Sequence, residues 1–310
     1  NSWVQLGSDI NGRLYGGDYF GDSLQLSDDG HVIAIGIPES SRDNLWQSGA
    51  VEVYEFNEDT SDWSIIGERI YGERKEERAG SDVSISGDGK FIAVGSPNNN
   101  GDWADYGVAR VYENISGQWT KISRDIYQEG DNSGRWGDIA GRVALSNDGS
   151  ILVVGAPQAG PHVDGEIRAY KESNGNWDQL GEDIFYEADS EVKFLGFNVS
   201  ISNDGSIIAT NNKTMVDENY YGVGEVRVFQ FRNKYWIEFK DKIISESGEF
   251  SSLDLSGNGS LLAVGDQYYD NVLDDQNDNS GKVQVYKIHS HNFVEEGSKF
   301  RAVIKYKDEQ

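Results

Sequence analysis

Short alternating segments and short apolar segments recur along the whole chain in a fixed order. An alternating segment ending in serine comes first, an apolar segment follows after a turn, and a third segment is opened by glycine. In chain order, the alternating segments read LQLS, VSIS, VALS, VSIS and LDLS. The apolar segments read VIAIG, FIAVG, ILVVG, IIAT and LLAVG. The segments opened by glycine read GAVEVYE, GVARVYE, GEIRAYK, GEVRVFQ and GKVQVYK. A period of two predicts a half-exposed strand, and a short apolar run predicts a strand covered on both faces.

A fourth segment, headed by a large aromatic residue, completes each unit. Its first residues are Trp3, Trp63, Trp119, Trp177, Trp236 and Phe293, at steps of 60, 56, 58, 59 and 57 residues. Four strands per unit in tandem are typical of propeller blades, and no segment has the helical period that a solenoid would need. The pattern predicts an all-β fold: a five-bladed β-propeller of four-stranded antiparallel blades.

The turn between the first two segments has nearly the same sequence in every unit. It reads SDDG from Ser27, SGDG from Ser86, SNDG from Ser146 and Ser202, and SGNG from Ser256. Asp-Gly and Asn-Gly supply the positive φ that tight hairpins need, and the serine can bond turn amides. These Asp residues are therefore predicted to be structural.

The repeat predicts one domain over 1–310. Its units span about 11–70, 71–126, 127–184, 185–243 and 244–304. Six aromatic-headed segments are one more than five blades need, so the ring is expected to be closed by the terminal segments. Either Trp3–Ile10 or Phe293–Ile304 must complete the last blade, and the other segment must add an extra edge or cover. We expect Trp3–Ile10 to be the closing strand, beside Lys282–Lys287, because pairing the two ends removes an open edge.

The repeat resembles the FG-GAP unit of integrin-type β-propellers. The FG positions are Phe20-Gly21, Ala79-Gly80, Ala140-Gly141, Leu195-Gly196 and Phe250-Ser251, and the GAP positions begin at Gly36, Gly95, Gly155, Thr210 and Gly265. The resemblance implies an extracellular or cell-surface propeller that binds proteins or glycans and is often not an enzyme. The calcium loop usual between the two inner strands of that family is replaced here by the short SxDG turn, which has too few oxygen ligands.

Charge and cysteine content exclude several classes of partner and site. The formal net charge is −26, and binding to nucleic acid or anionic lipid depends on Lys and Arg. Neither nucleic acid nor membrane insertion is expected, whereas calcium, cationic partners and neutral glycans remain. The chain has no cysteine, so disulfides and thiolate metal sites are excluded. The oligomeric state is left open.

The long connections on one face of the predicted propeller carry the candidate ligand-binding residues. Variable loops on a constant scaffold usually mark the working side, and exposed aromatic rings can stack on sugars or anchor a protein. The alternative is that these rings fold back and plug the central channel. The candidates are Trp46, Trp103, Tyr106, Trp136, Tyr220, Tyr221, Tyr268 and Tyr269.

The last long connection is the candidate metal site. Asp275, Asn277 and Asn279 have the alternate spacing of a calcium loop, although no glutamate closes it; a solvated acidic turn is the alternative. Calcium is the only cofactor that the sequence suggests. The full set is Asp270, Asp274, Asp275, Asn277, Asp278 and Asn279. Asn114, in an exposed outer turn, is the candidate glycosylation site.

These observations together favour a non-enzymatic adhesion or surface-assembly module that binds a protein or glycan through its long-loop face. The alternative is a five-bladed lectin or glycosidase with carboxylates in the central funnel. The carboxylates considered for it are Asp22, Asp82, Asp138 and Asp254. No nucleophile and base pair can be recognised by spacing, so no catalytic residue is predicted and the protein is expected not to be an enzyme.

Overall fold

The computed structural model describes most of the chain. The described residues are 2–12, 17–97, 107–127, 141–157, 165–185, 192–212, 214–217, 220–221, 224–239, 241–245, 250–267, 269, 281–288, 294–296 and 299–301. All regular elements in these ranges are β-strands. In these ranges no helix is long and apolar enough to cross a membrane.

Three consecutive blades share one layout. The first contains β1 Leu24–Leu26, β2 Val32–Ile37, β3 Ala50–Asn57, β4 Asp62–Ile65 and β5 Ile70–Tyr71. The second contains β6 Asp82–Ile85, β7 Phe91–Ser96, β8 Val108–Ile115, β9 Gln118–Lys121 and β10 Ile126–Tyr127. The third contains β11 Arg142–Leu145, β12 Ile151–Ala156, β13 Glu166–Ser173, β14 Asn176–Gln179 and β15 Ile184–Phe185. Four strands pair antiparallel in sequence order, and the short fifth strand pairs with the start of the third.

The fourth blade repeats this layout, and the fifth is shorter. The fourth contains β17 Asn198–Ile201, β18 Ile207–Asn211, β21 Glu225–Arg232, β22 Tyr235–Glu238 and β23 Ile243–Ile244, and the fifth β24 Ser252–Leu255, β25 Leu261–Asp266 and β26 Lys282–Lys287. A small sheet joins β16 Val192–Lys193, β19 Thr214–Asp217 and β20 Tyr220–Tyr221, and β27 Val294–Glu296 pairs with β28 Lys299–Arg301. The predicted five-bladed β-propeller is confirmed.

The repeated serine turns hold the inner hairpins as the sequence predicts. In the third blade, Ser146 Oγ donates to Asp148 Oδ1 at 2.7 Å, and the same oxygen accepts the Ser150 amide at 3.0 Å. Ser146 Oγ also accepts the Ile151 amide at 2.9 Å. Equivalent serine-to-Asx bonds occur in the other four turns. These Asp residues therefore satisfy turn amides, which is a structural role.

Pairs of glycines let neighbouring blades approach closely. A Cβ on Gly36 would overlap the carbonyl oxygen of Gly80, and a Cβ on Gly155 would lie 2.5 Å from that of Gly196. Each pair joins the second strand of one blade to a glycine two residues before the inner strand of the next. Only a residue without a side chain allows this backbone contact.

A ladder of backbone hydrogen bonds links the five inner turns, and we call it the turn ladder. The amide of Asp28 donates to Gly87 O, that of Gly87 to Asn147 O, that of Asn147 to Asn203 O and that of Asn203 to Gly257 O, at 2.7–3.0 Å. Each bond crosses from one blade to the next. The ladder surrounds one end of the central channel.

The junction of the first and fifth blades, which we call the seam, differs from the other junctions. On the fifth blade Val283 and Val285 are 75% and 67% exposed, whereas their counterparts Val51 and Val53 are 0% and 1% exposed. The facing strand β1 is exposed along its whole length. No bond from the Gly257 amide to Asp28 O continues the turn ladder among the described residues. Among the described residues, the seam therefore lacks the contacts that hold the other four junctions.

The terminal segment does not seal the seam in the way the sequence suggested. In the described structure, β26 pairs only with β25, and residues 3–10 form no strand. They lie instead against the first blade, where Leu6 O accepts the Trp63 indole N–H at 2.9 Å and the Ser8 amide donates to Asp62 at 2.8 Å. The expected pairing of Trp3–Ile10 with Lys282–Lys287 is corrected accordingly. The indole bond and the conformation of Gly7 fix this segment on Trp63.

Replacing a glycine at a closed junction should cost more than replacing its counterpart at the seam. We expect Gly155→Ala to destabilise the protein by about 1–3 kcal/mol, because its Cβ meets backbone that cannot move aside. Gly265→Ala should cost less, since its Cβ would meet only the Ser252 hydroxyl at 2.6 Å, which can rotate. Urea unfolding of both variants checks this. Equal losses would show that the fifth blade is packed like the others.

Candidate functional site

A polar channel of about 620 Å³ runs along the propeller axis between the inner strands. Its walls are built from the inner strands β1, β6, β11, β17 and β24 and from the turns that follow them. Polar side chains line it in two tiers. The first tier contains Asp82, Arg142 and Asn198, and the second contains Gln25, Ser84, Ser200 and Asp254. The first tier lies on the side of the long connections, and the turn ladder lies at the opposite end.

Asp82 is the acidic group of the first tier. It is the first residue of β6, and its Oδ2 accepts the amide of Val143 in the next blade at 2.9 Å. Burial between the blades raises the pKa of Asp82 to about 6, although the charge of Arg142 and the amides of Val143 and Val83 act in the opposite direction. A carboxyl group with this pKa can take up and release a proton near neutral pH.

Arg142 supplies the positive charge beside Asp82. It is the first residue of β11, and its guanidinium carbon lies 5.7 Å from the centre of the Phe197 ring. No described carboxylate lies within 4.0 Å of it, so Arg142 forms no ion pair in the described structure, and its field reaches Asp82 without a direct contact. A half-buried arginine with free donors can bind an anionic or strongly polarised oxygen.

Further polar groups lie deeper in the channel. Ser84 Oγ accepts the Leu145 amide at 2.9 Å, and Ser200 Oγ accepts the Leu255 amide at 3.1 Å while donating to Asp254 at 3.0 Å. These bonds repeat one pattern, in which the third residue of an inner strand accepts an amide of the next blade. At the ladder end, the Asn147 amide group donates to the Asp28 carboxylate across the channel.

The channel combines a proton-transfer group, a cation and several hydroxyl and amide groups in a confined space. Such a set suits a small, polar, uncharged molecule with several hydroxyl groups, because each hydroxyl can find a donor or an acceptor. Arg142, which has no ion-pair partner among the described residues, and the neighbouring Asp82 could act together on one carbonyl group of such a molecule.

The predicted ligand-binding aromatics do not line this channel where they can be placed. Trp46 is 55% exposed on a connection of the first blade, with Lys75 Nζ 5.8 Å from its ring centre. Tyr269 packs under Lys282, whose Nζ lies 4.4 Å from its ring centre. Tyr220 and Tyr221 form strand β20. Trp103, Tyr106, Trp136 and Tyr268 lie outside the described residues.

The candidate calcium residues also lie outside the described part of the chain. They are Asp270, Asp274, Asp275, Asn277, Asp278 and Asn279. Within the described ranges no group of three or more His, Asp or Glu residues is placed to hold a metal ion. Asn114 is described, and its side-chain oxygen accepts the Gly117 amide at 2.8 Å within the outer turn.

The four carboxylates considered for the funnel do not form one set. Asp82 and Asp254 line the channel, but they stand at the first and third positions of their strands. Asp22 precedes β1 and is exposed, and Asp138 lies outside the described residues. Sequence reasoning missed Arg142 and Asn198. The usable signal was the varied polar residue at the entry to each inner strand. It is Ser23, directly before β1, and the first residue of each of the other four strands: Asp82, Arg142, Asn198 and Ser252.

Neither a protein-family model nor a curated protein matches the sequence. Among solved structures, a candidate 6-phosphogluconolactonase from Bacteroides uniformis matches with a TM-score of 0.54 and 12% identity, over 91% of this chain and 70% of that chain. The periplasmic gluconolactonase PpgL of Pseudomonas aeruginosa matches with a TM-score of 0.46 and 14% identity, over 80% of this chain and 78% of that chain. The Dos1 propeller matches with a TM-score of 0.48 and 12% identity, over 80% of this chain and 53% of that chain. At these identities the likeness is one of fold.

The comparisons correct two expectations drawn from the sequence. A non-enzymatic adhesion or surface-assembly role was inferred from the sequence, yet a solved structure that matches with a TM-score of 0.54 is named as a candidate lactonase. The same finding contradicts the expectation that the protein is not an enzyme. It does not support the alternative of a lectin or glycosidase. The physical reason is that one scaffold hosts many functions, so propeller architecture alone does not predict the absence of catalysis.

The raised pKa of Asp82 predicts a stability that falls with pH. Below the unfolded pKa of 3.8 the carboxyl is protonated in both states; between pH 4 and 6 the unfolded state loses its proton first. Stability present at low pH is therefore lost as pH rises through about 6, by about 3 kcal/mol at most. Asp82→Asn should remove this loss, as urea unfolding at several pH values will measure.

Asp148→Asn is the matched control, because the pKa of Asp148 is lowered by bonds from Ser146 and Ser150 that outweigh its partial burial. Its contribution is present above pH 4 and lost in acid, so this variant should be less stable than wild type at neutral pH. The turn itself should survive, since Asn258 makes the same bonds in the fifth blade. If Asp82→Asn follows the wild-type pH dependence, the pKa of Asp82 is not raised.

Proposed function

We propose that this protein is a hydrolase that opens a sugar lactone, or a similar small hydroxylated ester, in its central channel. The observation that carries the proposal is Asp82, with a pKa of about 6, placed at the channel wall beside Arg142, which has no ion-pair partner among the described residues. The name of the Bacteroides uniformis structure supports the choice of a lactone. Groups that transfer protons near neutral pH and polarise carbonyl oxygens are what ester hydrolysis needs.

The proposed reaction uses water as the nucleophile. Asp82, as the carboxylate, takes a proton from water while the water oxygen attacks the lactone carbonyl carbon. Arg142 donates hydrogen bonds to the carbonyl oxygen as negative charge develops there. The bond between the carbonyl carbon and the ring oxygen then breaks, and Asp82 returns the proton to the leaving oxygen. The product is a hydroxy acid, which loses its own proton to solvent.

The charge of the protein favours an uncharged substrate. With a net charge of −26, the surface repels anions, so a neutral lactone enters more readily than a phosphorylated one. The same field favours release of the carboxylate product. The polar side chains Ser84, Ser200 and Asp254 are available to bind the hydroxyl groups of the ring.

We also propose that the repeats are of the FG-GAP type. The support is the contact between the first glycine of the GAP position and the FG glycine of the next blade, as in Gly155 with Gly196. At the junction of the fourth and fifth units both glycines are absent together, with Asn211 and Ser251 in their places. An extracellular location, calcium binding and glycosylation at Asn114 stay predictions.

Hydrolysis of D-glucono-δ-lactone and related aldonolactones tests the proposed function. With the spontaneous rate subtracted, Asp82→Asn should lower kcat/KM by about 10²-fold or more, because the general base is lost. Arg142→Gln should lower kcat as well. The wild-type rate should rise with pH through an apparent pKa of about 6. A pH indicator or product-acid assay measures all three.

The matched control is Asp59→Asn, an exposed carboxylate on the connection between β3 and β4, which should leave the rate unchanged. Absence of any turnover above the spontaneous rate across the lactone series would overturn the proposal. So would an Asp82→Asn variant that keeps the wild-type rate.

A further inference from the structure

Tryptophans at the head of the outer strands bond to the neighbouring segment in a repeated way. The indole N–H of Trp63 donates to Leu6 O at 2.9 Å, that of Trp119 to Ile66 O at 3.0 Å and that of Trp236 to Leu180 O at 2.7 Å. Each accepting carbonyl comes directly before a glycine with positive φ: Gly7, Gly67 and Gly181. That backbone conformation turns the carbonyl towards the indole.

Trp177 departs from this pattern. Its side chain is among the largest fully enclosed ones at 2% exposure, yet its Nε1 has no hydrogen-bond partner. The preceding blade carries Ser123 where the three segments that accept an indole bond carry glycine, and Ser123 does not adopt a positive φ. Its Oγ accepts the Val111 amide at 2.8 Å, which holds this segment on its own blade. The carbonyl of Ile122 is therefore not presented to Trp177.

A cleft of about 680 Å³ lies between the second and third blades at this place. Its walls include Trp177 together with the residues that directly follow Ser123. They are Arg124, Asp125, Ile126, Arg168, Tyr170, Trp177, Asp178 and Gln179. In the blades that make the indole bond, the N–H faces the end of the preceding aromatic-headed segment. The residues at the corresponding place here, Arg124 and Asp125, line the same cleft as Trp177.

Two of the four charged side chains in this cleft are already committed to structural ion pairs. Arg168 Nε lies 3.0 Å from Asp183, and Asp125 lies 2.8 Å from Arg110 Nε. Arg124 and Asp178 differ, because neither forms an ion pair within the described part of the chain and both are exposed. One cation, one anion and one buried N–H donor thus share a cleft without satisfying one another. A buried donor left without an acceptor is a destabilising feature that a ligand oxygen can relieve.

We propose that this cleft binds a small zwitterion of the amino-acid type. A carboxylate oxygen of the ligand accepts the Trp177 indole N–H, the other oxygen faces Arg124, and the ammonium group faces Asp178. Tyr170 and the ring of Trp177 contact the apolar part. The site is separate from the central channel and does not depend on the reaction proposed there.

Indole N–H signals in the nitrogen-15 NMR spectrum test this site directly. The protein has eight tryptophans, and the Trp177 signal is assigned by its loss in Trp177→Phe. Titration with L-leucine should move this one signal saturably. Acetate and butylamine, which each carry one of the two charges, should bind at least about tenfold more weakly. Leucine should leave the signals of Trp63, Trp119 and Trp236 in place.

Ser123→Gly is the second variant, because it introduces the glycine found at the equivalent positions 7, 67 and 181. The Ile122 carbonyl should then accept the Trp177 N–H, so the melting temperature should rise and the leucine-induced shift should disappear. Trp119→Phe is the control and should keep leucine binding at Trp177.

Three results would overturn the proposal. One is a Trp177 signal that leucine does not move. Another is acetate binding as tightly as leucine. The third is a Ser123→Gly variant that binds leucine like the wild type.

Discussion

Close backbone contact between neighbouring blades is the constraint on which the rest of this structure depends. A single blade is a small sheet that cannot bury both of its apolar faces, so its stability comes from its neighbours. The neighbours meet where glycine stands against glycine, as at Gly155 and Gly196, and where the inner turns exchange hydrogen bonds. Because these contacts lie next to the axis, they also set the width of the channel and the positions of the side chains that line it.

Within that frame, chemistry appears where the repeat varies. The residues that enter the inner strands occupy equivalent places in the blades. In two adjacent blades these residues are an acid, Asp82, and an arginine, Arg142. The narrow space between blades raises the pKa of the acid, and the arginine stays free of ion pairs within the described residues. A departure from the repeat also matters at the outer end of the blade. Ser123 stands there in place of glycine, and the N–H of Trp177 has no acceptor.

The sequence predicted the repeated part of the molecule well. Five copies of one strand order and turn determine five blades, because period, turn chemistry and burial all agree. The position of the N-terminal segment was predicted wrongly. Trp3–Ile10 lies against the first blade because Leu6 O accepts the indole N–H of Trp63, and a pattern of apolar residues does not reveal such a hydrogen bond. The sequence identified Asp82 and Asp254 as candidate carboxylates of the central channel. It did not show that they lie in different tiers or that Arg142 lies beside Asp82, because both facts require knowing the residue at which each inner strand begins. The function could not be read from the repeat, because the repeat specifies a scaffold and single residues specify the reaction.

Amide hydrogen exchange of the inner turns tests the central claim most directly. If contact between blades holds the fold, the amides of Gly87, Asn147 and Asn203, which donate across blade junctions, should exchange as slowly as those of the middle strands. The amide of Gly257, at the seam, has no described acceptor and should exchange quickly. Fast exchange at all four glycine and asparagine amides would contradict the account, and so would equal protection of Gly257.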